Sequence, residues 1–222
     1  MYDFNFAPVF GSFGLLLEGA WLTVQMSCTA MVIGLILSIF GAVGKTSGPK
    51  PIRVLINIYI EVIRNTPFLV QLYFFFFALP ALGIRFEPNQ AALLALVVNF
   101  GAYGTEIVRA GVASVGKGTI EAARTVGLNF FQTLRYVILK PAMRAVYPAL
   151  TSQFIYLMLA SSVVSVISAT DLAAAGNDLQ SQTFASFEVY IVITAMYFGL
   201  SLAFTGVFAL IGKYAFSYPV NR

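Results

Sequence analysis

A chain of 222 residues that is 59% hydrophobic, 15% aromatic and only 10% charged, with a mean hydropathy of +0.85, is too apolar for an ordinary water-soluble domain and belongs in a membrane. Histidine is absent and Cys28 stands alone, so the commonest metal ligand and general base, and any disulfide framework, are excluded. The net charge of +4 is small and follows sidedness, as shown below, rather than an affinity for nucleic acid.

Cutting the chain at every charged residue leaves five long windows, 19–44, 65–84, 88–105, 145–170 and 189–212. Each is close to or above the roughly 18–20 residues that cross a bilayer. They predict spans at about 20–43, 54–79, 90–112, 145–168 and 189–211 in a single membrane domain of residues 1–222. With the N-terminus outside, twelve of the thirteen Lys and Arg residues fall on the cytoplasmic side and only Arg85 outside, so the C-terminus, with Lys213 and Arg222, is expected inside. Asp3, Glu87, Asp171, Asp178 and Glu188 collect on the other face.

The first residues carry no basic group before their apolar run, which speaks against a cleaved signal peptide. Phe4, Phe6, Phe10 and Phe13 suit a stretch lying on the outer surface of the membrane. Span one carries Gly34 with Thr23, Ser27, Thr29 and Ser38, small residues that let a second helix approach. Gly44-Lys45-Thr46 has the look of a phosphate-loop ending, but Ile39 stands where that loop needs glycine and a membrane helix where it needs a strand. A basic turn is expected there instead.

Span two holds Glu61 and Arg64, spaced to pair on one face, and then Thr66-Pro67 and Gln71. Pro67 frees backbone carbonyls that persist in a membrane only against protein or a wet cavity, so these residues belong either to a solute pathway or to a packing kink. Span three repeats the spacing with Glu106 and Arg109, and Glu106 is expected to be paired or near water.

Residues 117–144 form a basic island outside the membrane. Thr119 is expected to cap a short helix with Glu121 in its first turn, Gly127 to end that helix, Asn129 and Gln132 to cap a second, and Pro141 to stop it. Ala122 and Ala123 leave a face of little bulk, suited to close docking of another protein. In span four, Ser161, Ser165 and Ser168 fall on one stripe, to bond their own backbone, a neighbouring helix or a solute. Span five offers only Thr194, Tyr197, Ser201 and Thr205 as polar interior groups.

Glu121-Ala122-Ala123, three residues, Gly127, nine residues and Val137-Ile138-Leu139 resemble the EAA loop of the membrane subunits of ABC importers. One departure is that Lys140 precedes the proline at Pro141. Glu61-x-x-Arg64-x-Thr66-Pro67-x-x-x-Gln71, and the run from Ala102 to Arg109, are similar to the polar amino-acid permeases of that family, and the likeness runs from about residue 20 to 215. The resemblance implies an all-α integral membrane bundle of five transmembrane helices with a cytoplasmic coupling helix, in a bacterial inner membrane. It implies ATPase docking at Glu121, Ala122, Ala123 and Gly127, and a substrate pathway at Thr66, Pro67, Gln71, Ala160, Ser161, Ser162 and Ser165. Leu159 and Ala160 stand where related permeases often hold a charged or amide residue, so this chain supplies no fixed charge there.

The partners implied are two ABC ATPase subunits, a second permease subunit, identical or paralogous, a periplasmic solute-binding protein and a polar amino-acid solute, with no cofactor, metal or nucleic acid. The chain itself carries no catalytic motif, and ATP hydrolysis is expected from the separate ATPase. An ion-coupled secondary transporter is the alternative, and it needs titratable groups deep in the membrane, whereas Glu61 and Glu106 lie near the cytoplasmic face beside arginines. A membrane scaffold is a further alternative.

Overall fold

The computed structural model describes residues 3–216, apart from the side chain of Phe130; Arg222, one of the expected inner charges, lies outside the described residues. Ten helices follow one another in this region: α1 (Ala7–Gly11), α2 (Phe13–Ser47), α3 (Lys50–Arg64), α4 (Phe68–Tyr73), α5 (Pro88–Ala113), α6 (Lys117–Thr125), α7 (Phe130–Gln132), α8 (Leu139–Ala160), α9 (Leu172–Thr183) and α10 (Ser186–Ala215). Short wide or tight turns extend three of them: α4 continues as a π turn, Phe74–Ala78, and a 3-10 turn, Leu79–Leu82; a π turn, Thr133–Ile138, joins α7 to α8; and a 3-10 turn, Ser161–Ile167, closes α8.

Four stretches, Phe13–Ser47, Pro88–Ala113, Thr133–Ile167 and Ser186–Ala215, are long and apolar enough to cross a membrane. The second predicted span is different. It is two helices, Lys50–Arg64 and Phe68–Leu82, bent by 113° at Asn65-Thr66-Pro67, so the fifth crossing exists only if the bent pair counts as one. Pro67 supplies the reason: it donates no N–H to the preceding turn, and the residue before it is pushed out of helical geometry.

The core forms around α5, in which 61% of the most apolar stretch is buried against 6% for α10. Thr23, Ser27, Gly34 and Ser38 of the expected small residues are buried along α2, joined by Ala30 and Ala42 at three- and four-residue spacing, whereas Thr29 points away and is exposed. A Cβ on Gly34 would stand 2.9 Å from the Phe100 ring, and one on Gly104 would collide with Ser38, so both helices need glycine at their closest approach. Leu72, Ala95, Leu96, Phe100, Leu157, Val164 and Ile167 complete a core that joins α4, α5 and α8 to α2. The outward sides of α2, α3 and α10 carry exposed Phe40, Leu55, Phe198 and Leu202, as lipid-facing helices do.

At the end of the bundle away from Lys45, a second core of Val9, Leu16, Leu172, Leu179, Val189 and Ile193 seats α1 and α9 against α2 and α10. The junction before α9 is pinned by side chains. Asn89 and Thr170 exchange two hydrogen bonds of 2.9 and 2.8 Å. Asp171 caps α9 by accepting from the Ala174 N–H at 2.8 Å and also accepts from the Tyr197 hydroxyl at 3.0 Å. The Leu172 N–H donates to Thr23 Oγ1 at 3.0 Å.

Candidate functional site

The break between α3 and α4 is closed by one side chain. Gln71, buried at 5% exposure, donates from Nε2 to the carbonyls of Ile63 (2.8 Å) and Thr66 (3.0 Å), the very groups that Pro67 leaves without helical partners. Its Oε1 accepts from Asn99 Nδ2 of α5 at 3.0 Å, while the Thr66 hydroxyl donates back to Val62 at 2.8 Å. Thr66, Pro67 and Gln71 are thus brought together in a knot whose polar atoms are used within the chain. Glu61 and Arg64 do not pair: Glu61 Oε2 accepts from Asn65 at 2.9 Å, and the Arg64 guanidinium lies 5.4 Å from the centre of the Tyr103 ring.

Ser161, Ser162 and Ser165 donate to the carbonyls of Met158, Leu159 and Ser162 at 2.7, 2.8 and 2.9 Å, each three residues back. The three serines lie in the 3-10 turn Ser161–Ile167, with three residues per turn, so the predicted stripe of Ser161, Ser165 and Ser168 is not formed; Ser162 and Ser165 align instead, and Ser168 caps the turn in a left-handed conformation. Ser161 is fully buried, Ala160, Ser162 and Ser165 are half-buried, and Leu159 is exposed.

Between α3, α5 and α8 lies an open cavity of about 850 Å³ lined by Arg64, Tyr103, Glu106, Arg109, Ser152, Gln153 and Tyr156. Glu106 is paired twice, with Lys45 of α2 at 2.7 Å and with Arg109 at 3.0 Å. The lysine of the phosphate-loop lookalike is thereby committed to an ion pair at the end of α2. Both Glu-x-x-Arg spacings and the hydroxyl of Ser152 are visible in the sequence, but Gln153 and Tyr156 are not, since they come from a helix far along the chain and carry no local motif.

The external segment forms as a helix, a glycine turn and a second helix, with corrections. Gly116, not Thr119, precedes α6, which therefore begins three residues early and leaves Glu121 outside its first turn. The C-terminus closes as predicted: Gly127 has φ +82, Leu128 N–H reaches Ala123 at 3.1 Å and Gly127 N–H reaches Arg124 at 3.0 Å, the paired bonds of a left-handed helix stop. Asn129 and Gln132 cap each other reciprocally at 2.9 Å. Pro141 stops nothing, because the helix runs on from Thr133 to Ala160. It is the third residue of α8, directly after the π turn, where the widened hydrogen-bond register leaves its missing N–H without cost. Ala123 is buried, while Glu121, Ala122 and Gly127 are exposed on one cap.

A bundle of membrane-crossing helices around a broken helix and a polar cavity, with a rigidly capped helical hook outside, defines a multi-pass transport subunit. Residues 13–214 match the family described as binding-protein-dependent transport system inner membrane component, and the chain belongs to that family. It is 34% identical over 198 residues, 89% of this chain and 92% of the relative, to the probable glutamine ABC transporter permease protein GlnM of Bacillus subtilis. Against the glutamine transport system permease protein GlnP of Escherichia coli K12 the identity is 33% over 202 residues, covering 90% and 92%. A crystal structure of an amino acid ABC transporter with histidines superposes with a TM-score of 0.89 at 36% identity, over 96% of this chain and 100% of the other. The chain is therefore an ABC-type permease subunit of the bacterial inner membrane, and the ion-coupled alternative falls.

Proposed function

We propose that this chain, acting as one permease domain, passes a polar amino acid from a periplasmic binding protein into the cytoplasm, with a second permease subunit and two ABC ATPases. The observation that carries this reading is mechanical. The helix α6 is closed at its end by the paired backbone bonds at Gly127 and Leu128, packs against the π turn Thr133–Ile138, and that turn runs without a break into α8, which walls the cavity. A push on exposed Glu121 and Ala122 then tilts α8 against α3 and α5, opening and closing the cavity. The amino-acid solute is supported by relatives named for glutamine transport. The hook sits on the cytoplasmic side with the N-terminus outside, in keeping with the distribution of basic residues.

Thr66, Pro67 and Gln71 shape the pathway by holding the break, and Ala160, Ser161, Ser162 and Ser165 form its far wall. Glu121→Arg is expected to abolish ATP-driven uptake in proteoliposomes and to release the co-purifying ATPase while leaving membrane insertion intact. Undiminished uptake and co-purification in that variant would falsify docking through this hook.

A further inference from the structure

We propose that Arg64 receives the carboxylate of the solute, in a cavity whose surplus positive charge admits neutral and anionic amino acids and turns away cationic ones. This inference rests on the reading of the chain as an amino-acid permease and names what its cavity recognises.

The charges about the cavity do not balance. Arg64, Arg109 and Lys45 are three cations against two carboxylates, Glu106, shared by Lys45 and Arg109, and Glu61, which lines the adjoining recess with Arg64 and Tyr103, so one positive charge is left over. Among the described residues no carboxylate lies within ion-pair distance of Arg64, and Glu61, one turn earlier, is held by Asn65. The Arg64 guanidinium carbon lies 5.4 Å from the centre of the Tyr103 ring, a cation–π contact that takes up none of the N–H donors of its fork in a hydrogen bond. A carboxylate meets that fork with two parallel hydrogen bonds. Arg64 is exposed, so a solute can reach this fork.

A second observation points into the same cavity. Gln153, on α8, lines the same cavity as Arg64, and its Nε2 is buried without a hydrogen-bond partner. A stranded buried amide is unfavourable unless an acceptor arrives, and a solute oxygen would supply one. The volume, about 850 Å³, lies in the range of small-molecule sites. Arg64 is also preorganised: the Ile63 carbonyl beside it is tied by Gln71, and Gln71 is tied to Asn99 of α5. Leu159 and Ala160 add no counter-charge for a cationic side chain.

The test is equilibrium binding to the whole permease–ATPase complex, purified without binding protein, using L-glutamine, L-glutamate, L-arginine and 4-aminobutanamide, which is glutamine without its α-carboxyl group. The parent is expected to bind glutamine or glutamate at least tenfold more tightly than arginine, and glutamine at least tenfold more tightly than 4-aminobutanamide. Arg64→Gln is expected to lose that last preference, and Arg64→Lys to keep part of it, each with ATPase still co-purifying as evidence of a folded complex. An unchanged preference in Arg64→Gln, equal binding of arginine, or no binding of any of the four overturns the inference. If ATP-driven uptake of amino acids is intact in such a case, only the Arg64 assignment fails; if no amino acid is taken up, the permease reading fails with it.

Discussion

Asp171 shows how one buried polar residue joins local and long-range structure. Its carboxylate caps α9, takes the Tyr197 hydroxyl of α10, and is only 1% exposed. Burial pushes its pKa up to about 6 from the ordinary 3.8, against the lowering effect of those hydrogen bonds. The folded chain therefore holds this proton more tightly than the unfolded chain. The carboxylate costs nothing below about pH 4, and the cost grows as the pH rises towards 6, reaching about 3 kcal/mol above that. Asp171→Asn keeps an acceptor for the cap and removes the charge. Its melting temperature in detergent, relative to the parent, is expected to gain by several degrees between pH 4.5 and pH 7.5; a difference that does not change with pH would mean the carboxylate is not confined as described. Gln71 is the counterpart inside the membrane. The sequence marked it as a pathway or kink residue four places after a proline, and its four hydrogen bonds become intelligible once α3, α4 and α5 are in place.

Among the elements, the pair α2 and α5 has the tightest join, and glycine makes it possible. Gly104 faces Ser38, whose hydroxyl donates to the Gly34 carbonyl at 2.7 Å and reaches Gly101 at 3.3 Å. Gly104→Leu has no space to occupy, so the helices must part, breaking that bond and the packing of Phe100. A loss of about 2–4 kcal/mol is expected, read as a lower melting temperature and lower membrane yield of the variant. The same change at Gly199, where nothing lies within 4 Å of the added Cβ, is expected to leave both unaltered. The small-residue stripe on α2 was legible from its spacing alone, because helical periodicity fixes which residues share a face. The partner face was not, since the stripe does not say which helix fills it.

Across the whole molecule, the basic ends and the hook form one side. The Lys45–Glu106–Arg109 cluster draws the ends of α2 and α5 together there, and α6 follows α5 after only three residues. Reporter fusions within residues 45–53 and 117–144 are both expected to report the cytoplasm, and an external signal from either reverses the orientation. Composition and charge placement by themselves determined that the chain is a helical membrane protein, where its apolar stretches lie and that a capped hook stands between the third and fourth of them. Each of these depends on local quantities: the length of an uncharged run, a cap pair such as Asn129 and Gln132, a left-handed glycine at 127. Only the tertiary structure decided that Pro67 divides the second stretch by 113° while Pro141 is absorbed into a continuous helix. The difference lies in what surrounds each proline. At Pro67 a side chain eight residues beyond the bared Ile63 carbonyl satisfies it, whereas at Pro141 a wide turn before it has already shifted the hydrogen-bond register, and neither compensation is written in the residues adjoining the proline.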